Sequence, residues 1–279
     1  MTDFSRRRFL AVSSAAAVGA TWFDVAALCA ADPYKGLPIG VQSYSLRAFN
    51  TLAVIRHIQG MGLHYAEFYS KHLALNATPD QIASTLKLLA KAKIKLNAHG
   101  VSGFSKNHAA NRRIFEFAKR AGIRNITADP TADSFDSLDK LVAEFKIRIA
   151  IHNHGPDSRY DSIKSVQKAV HGHHKFIGAC VDTGHFIRSK EDPVKAVREL
   201  GKRVFALHIK DEAKQEKRSH NVVIGKGHLD VVSLFKTLKK SKFPADGSMS
   251  LEYEANPKNP IDAMKACLAV AREAIAKAL

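Results

Sequence analysis

The chain has 279 residues, 46 % hydrophobic and 25 % charged, with three cysteines. That is enough apolar material for one large α/β domain or two small ones, and too little cysteine for a disulfide framework. The formal net charge is +17, from 43 Lys and Arg against 26 Asp and Glu, a balance that attracts polyanions. The basic residues are spread along helical stretches such as KLLAKAKIK and read as a solvated surface, so no nucleic-acid partner is expected.

Residues 1–31 read as a leader. A polar start, the run Arg6-Arg7-Arg8, an apolar small-residue stretch and the Ala-rich ALCAAD have the layout of a secretory signal peptide. Ser5-Arg6-Arg7-Arg8-Phe9-Leu10 resembles the twin-arginine export motif. Cleavage is expected near Ala31, with export to the periplasm or beyond. Cys29 follows Leu28, with Ala26 three residues before it, a poor fit to a lipoprotein anchor. No later apolar segment is long enough to cross a bilayer, so no membrane anchor is expected. Residues 32–279 are then the mature domain.

From Ile39 onward, strand-like and helix-like patterns alternate. The strand candidates are IGVQSYSL, HYAEFYS, KLNAHGVS, NITADP, IRIAIHNHG, FIGACVDTGHF, VFALHIKD and MSLEYEA. Between them, Thr78-Pro79-Asp80-Gln81 is a capping box with Pro at the first helical position. Ile114, Phe117, Ala118 and Ala121 form an apolar stripe that ends at Gly122. Asp192-Pro193 opens another helix, and Met264, Cys267, Leu268, Ala271 and Ile275 mark the last. Strands alternating with helices imply parallel pairing with right-handed crossovers. Eight such units match a single (β/α)8 TIM barrel. An open doubly wound sheet is the alternative, but no glycine-rich phosphate loop follows the first strand. The longest connection, Asp211 to His228, follows the seventh strand and would lie over the barrel mouth.

Active sites of such barrels sit at the C-terminal strand ends, and the polar residues collect there. In order they are Glu67, His99, His152 with His154, Asp182 with His185, His208 with Lys210, and Glu252 with Glu254. IAIHNHG is the clearest case: an apolar run ends in two imidazoles whose spacing aims both the same way. So many ionisable groups in one cup are costly to desolvate without a compensating charge. A divalent cation supplies one, and mixed imidazole and carboxylate donors suit Mn²⁺, Zn²⁺, Co²⁺ or Fe²⁺.

The ordered set GVQSYSL, VDTGH, HIKD, VVIGKGHLD and SLEYE resembles the xylose-isomerase-like barrel superfamily of sugar isomerases, epimerases, inosose dehydratases and apurinic endonucleases. The resemblance runs from about Ile39 to the C-terminus. It implies a metal held by His152, Asp182, His208 and Glu252, and a substrate contact by His185. Where relatives carry Glu-Asn-His-Gly on the fifth strand, this chain has His152-Asn153-His154-Gly155. Only Glu252 is left of the paired glutamates such epimerases use as acid and base, so Glu252 and His185 are the expected proton carriers, with His154 in reserve. The expected activity is a sugar or keto-sugar isomerase or epimerase, or a related lyase, starting from a metal-polarised carbonyl. Glu67 and His99 are expected to orient the metal ligands or to bind sugar hydroxyls, Lys210 and Glu254 to lie around the substrate, and Tyr44 and Phe104 to supply apolar faces. The alternatives are a non-catalytic glycan-binding barrel and a three-zinc nuclease. The latter is disfavoured because Arg218-Ser219-His220 stands where the nucleases have Asp-x-His. Lys210 could instead pair with Asp211, and the His171–His174 tract, HGHH, reads as a surface loop at the barrel bottom.

Overall fold

The structure is a computed structural model and describes residues 32–279; the expected twin-arginine leader, residues 1–31, lies outside the described residues. Eight parallel strands close into a barrel. They are β1 (Ile39–Gln42), β2 (Tyr65–Phe68), β3 (Lys95–Phe104), β4 (Asn125–Pro130), β5 (Arg148–His152), β6 (Ile177–Asp182), β7 (Val204–Ile209) and, after the short antiparallel pair β8 (Asp211–Glu212) and β9 (Asn221–Val222), β10 (Ser248–Leu251). The order around the barrel is β1-β10-β7-β6-β5-β4-β3-β2, which is chain order with the small hairpin left out. The expected (β/α)8 barrel is therefore the observed fold. Every residue of β6 and of β7 is buried. Strands covered on both faces lose the apolar–polar alternation of a half-exposed strand, which is why their sequences are continuous apolar runs.

The helices are α1 (Thr51–Gly60), α2 (Pro79–Lys91), α3 (His108–Arg120), α4 (Phe135–Phe145), α5 (Ile163–Val170), α6 (Thr183–Arg188), α7 (Pro193–Leu200), α8 (Val231–Lys240) and α9 (Ile261–Ala278). Their ends follow local chemistry. Thr78 caps α2 by accepting the Gln81 amide at 3.2 Å, and the Gln81 side chain takes the Thr78 amide in return. The chain turns after α3 at Gly122, whose φ of +68° a side chain would resist. The expected α9 stripe, Met264, Cys267, Leu268, Ala271 and Ile275, is buried throughout. No helix among the described residues is long and apolar enough to cross a membrane.

Two elements differ from the sequence reading. VDTGHF is not a continuing strand: β6 stops at Asp182, whose Oδ1 accepts the His185 amide at 2.8 Å and so caps α6. His185 thus stands on the first turn of a helix. The long connection after β7 is not a plain loop either. It folds back through the β8–β9 pair, with Asp211 opposite Val222 and Glu212 opposite Asn221.

Candidate metal centre and cavity

Strand register brings the candidate ligands together. Asp182 lies beside His208 across the β6–β7 pair, His208 lies beside Ser250 across β7–β10, and His152 ends β5 one strand away. One donor atom each from His152, Asp182, His208 and Glu252 falls within 4.8 Å of all the others, and all four residues are buried. Asp182 Oδ2 is 3.1 Å from His152 Nε2 and 3.8 Å from His208 Nδ1. Glu252 Oε2 is 3.1 Å from His208 Nδ1. These residues gather as the sequence reading expects.

The donor set fits a divalent ion. His208 Nε2 is 3.0 Å from Glu67 Oε2, yet its buried Nδ1 has no hydrogen-bond partner although two carboxylates lie nearby. That is the arrangement of a metal-binding imidazole: one nitrogen held by a supporting carboxylate, the other aimed at the ligand cluster. His152 differs: it meets the cluster through Nε2, on Asp182 Oδ2, and its buried Nδ1 is the unpartnered atom. Burial alone would lower the His208 pKa, but the Cys180 sulfur and the Glu67 and Glu252 carboxylates outweigh it and raise it well above the ordinary value. Burial holds His152 neutral, with its pKa down to about 4.

Of the two places expected for Glu67, it takes the one behind a metal ligand and not the one beside the substrate. It is fully buried beneath the cavity, where Thr127 Oγ1 (2.5 Å) and Ser250 Oγ (2.8 Å) donate to it beside His208. It orients His208 and presents no surface to substrate. Burial would raise its pKa, but the charge and hydrogen bond of His208, with those of Thr127 and Ser250, lower it. Glu67→Gln is expected to weaken metal affinity by about 10- to 100-fold with little change in fold, measured by chelator competition against the wild type.

Above the cluster opens a cavity of about 430 Å³. Its polar side is His152, His154, His185, Lys210, Glu252 and Glu254; the facing wall is Tyr44, Tyr69, Ser70, Val101, Gly100 and Gln42. The Tyr44 and Tyr69 rings meet edge to face, with centroids 5.3 Å apart. Tyr44 is thus placed where the sequence reading puts it, whereas Tyr69 and Gln42 were not anticipated. Gln42 could have been, because it ends β1.

His154 lies just beyond β5 with its ring 4.5 Å from that of His152. Burial, with the Lys210 and His208 charges, lowers its pKa against the pull of Asp182 and Asp129. The His185 ring faces the cluster through Nε2, 3.9 Å from Asp182 Oδ2, while Nδ1 lies 3.2 Å from the Arg188 guanidinium. An arginine can only donate, so in the neutral ring Nδ1 accepts and Nε2 carries the hydrogen. Burial lowers the His185 pKa well below its ordinary value despite Asp182.

Other expectations are corrected by placement. His99 lies outside the cavity: its Nε2 is 2.8 Å from the Leu73 carbonyl and its ring packs on Phe117. A register shift between His99 and Ser102 on β3 carries the strand on to Phe104, so His99 is not at the strand end. Phe104 packs on Phe115 in the core. Lys210 does not pair with Asp211 but with Asp182, Glu252 and Glu254. The His171–His174 tract, by contrast, lies where it was expected, before β6 at the opposite end of the barrel, where His173 Nδ1 lies 2.9 Å from Asp139 Oδ2.

Comparison with known proteins agrees with this fold. An inosose dehydratase of Clostridium botulinum (strain Eklund 17B / Type B) is 26 % identical over 153 residues, 47 % of this chain and 49 % of that protein. The chain thus spans about half the length of the curated relatives it matches. Among solved structures, 3-keto-D-glucoside 4-epimerase, YcjR, from E. coli superposes with a TM-score of 0.66 at 18 % identity, covering 85 % of this chain and 99 % of that one. The IOLI protein with a bound zinc atom gives a TM-score of 0.68 at 16 % identity, covering 87 % and 99 %. Both show a shared fold. Residues 55–274 match the family model described as xylose isomerase-like TIM barrel, and the chain belongs to that family.

Proposed function

We propose that the protein is a metal-dependent enzyme acting on a sugar or keto-sugar by removing a proton from the carbon next to a carbonyl, as an isomerase, an epimerase or a related lyase. The observation that carries this reading is the convergence of His152, Asp182, His208 and Glu252 on one point at the floor of a cavity with an aromatic wall. The dehydratase and epimerase named above support the same class of chemistry. Export by the twin-arginine route, read from residues 1–31, is part of the proposal and favours a substrate without phosphate.

A divalent ion held by these four residues would act as a Lewis acid on a substrate carbonyl and so acidify the neighbouring C–H. The remaining work falls to side chains. Glu252 Oε2 is turned to His208 Nδ1 and the ligand cluster, which leaves Oε1 to receive a proton from substrate. Burial would raise its pKa, but the Lys210 and His208 charges overcome that and hold it below the ordinary carboxylate value, so the carboxylate is ionised. His185 presents Nε2–H and acts as a donor to a substrate oxygen. His154, neutral and on the cavity wall, takes the second proton position ahead of His185.

Incubating Mn²⁺- or Zn²⁺-loaded protein with keto-sugars in D₂O tests this. An enzyme of the proposed kind washes deuterium into the α-carbon, visible by NMR. A glycan-binding barrel, the reading favoured by the loss of a glutamate at His152, binds sugar and leaves that proton in place.

A further inference from the structure

Lys210 is held by three carboxylates, two of which belong to the candidate metal ligands. Its Nζ lies 3.0 Å from Asp182 Oδ2 and 2.7 Å from Glu252 Oε2. These are the same oxygens that face the nitrogens of His152 and His208. The third partner is Glu254 Oε1 at 2.5 Å, on a side chain 35 % exposed at the cavity wall.

The stem of the lysine is fixed. A Cβ at Gly184 would overlap Lys210 Cγ, so the glycine leaves the groove in which the stem runs. Thr183 Oγ1 clamps the Lys210 backbone, accepting its N–H at 2.9 Å and donating to its carbonyl at 2.5 Å. Only the ammonium end is free to pivot, and it already touches an acceptor on either side.

Two cations cannot share Asp182 Oδ2 and Glu252 Oε2 without strong repulsion, because like charges a few ångströms apart are poorly screened in a buried site. We propose that Lys210 is a built-in counter-cation: it neutralises the ligand carboxylates while the metal is absent, and passes to Glu254 when the metal enters. The two buried carboxylates then never stand uncompensated. After the transfer, the ammonium stands beside Glu254 on the cavity wall, in reach of a substrate oxygen. The inference rests on the metal reading of the same four residues, and its test separates the two.

The test is Zn²⁺ affinity, measured by competition with a chromophoric chelator, together with thermal unfolding with and without Zn²⁺. Lys210→Met is expected to bind Zn²⁺ at least roughly tenfold more tightly than wild type. Its metal-free form is expected to melt lower, or not to fold until Zn²⁺ is added. Glu254→Gln removes the receiving carboxylate and is expected to weaken Zn²⁺ binding several-fold; this loss should vanish in the Lys210→Met background. Unchanged or weaker Zn²⁺ affinity in Lys210→Met overturns the proposal, as does an unfolded variant that Zn²⁺ does not rescue. An equal Glu254→Gln deficit with and without Lys210 overturns it too. If wild-type protein binds no Zn²⁺, Mn²⁺, Co²⁺ or Fe²⁺, the metal reading itself fails.

Discussion

Replacing Glu252 by Gln is expected to lower the rate of deuterium exchange at the substrate α-carbon by about a thousandfold, within the range a positioned general base supplies. The effect is large because one side chain serves twice. Oε2 belongs to the four-donor cluster, and Oε1 is the oxygen left to take the proton. The amide keeps the shape, so the fold should survive: Lys210 retains Asp182 and Glu254 as partners. Loss of charge also weakens the metal site, so the two contributions must be separated by saturating the variant with Mn²⁺ or Zn²⁺. Exchange that stays near the wild-type rate at saturating metal would assign the proton to another residue, with His154 the first to examine.

Asp211→Ala should produce the largest loss of stability among polar substitutions near the mouth, on the order of 4 kcal/mol. Asp211 is fully buried, and its side chain neither lines the cavity nor pairs with the Lys210 ammonium. Its two oxygens accept the backbone amides of Glu212, Gly225, Gly227, His228 and Leu229 at 2.8 to 3.0 Å. Removing it strands those donors, each a hydrogen bond to a charged group, two of them buried and three half-buried. The turn depends on this closeness: a side chain at Gly227 would overlap the Glu212 carbonyl. Asp211→Asn should recover only part of the loss, since its NH₂ group would face N–H donors. The difference appears in the urea midpoint at constant m-value. A shift below about 1 kcal/mol would mean the connection from β8 to α8 holds itself without the carboxylate.

These two residues show what a sequence reading reaches. Glu252 stood with Glu254 at the end of a buried strand, where carboxylates are costly, and the family resemblance then singled out Glu252 as ligand and base. Asp211 is one residue from Lys210, and adjacency suggested an ion pair; the pairing was decided instead by amides 14 to 18 positions downstream in sequence. His99 misled for a related reason. Its strand was expected to end there, but a register shift against β4 carries β3 on to Phe104 and turns the imidazole to the Leu73 carbonyl. Arg188 gave no signal at all, since its contact with His185 depends on the one-turn helix that Asp182 caps.

The sequence by itself determined the barrel, the alternation of its strands and helices, and the polar residues at the strand ends, among which the family resemblance picked out the four that gather at the mouth. Strand burial, capping and the alternation of elements are local properties, written into runs of a few residues. The tertiary structure alone decided which groups support and which confront the ligand. Glu67 lies 141 residues from the His208 ring it holds, and Lys210 lies 44 from Glu254. Such pairings follow from the closure of the barrel, which sets strands side by side in an order and register that no single segment encodes.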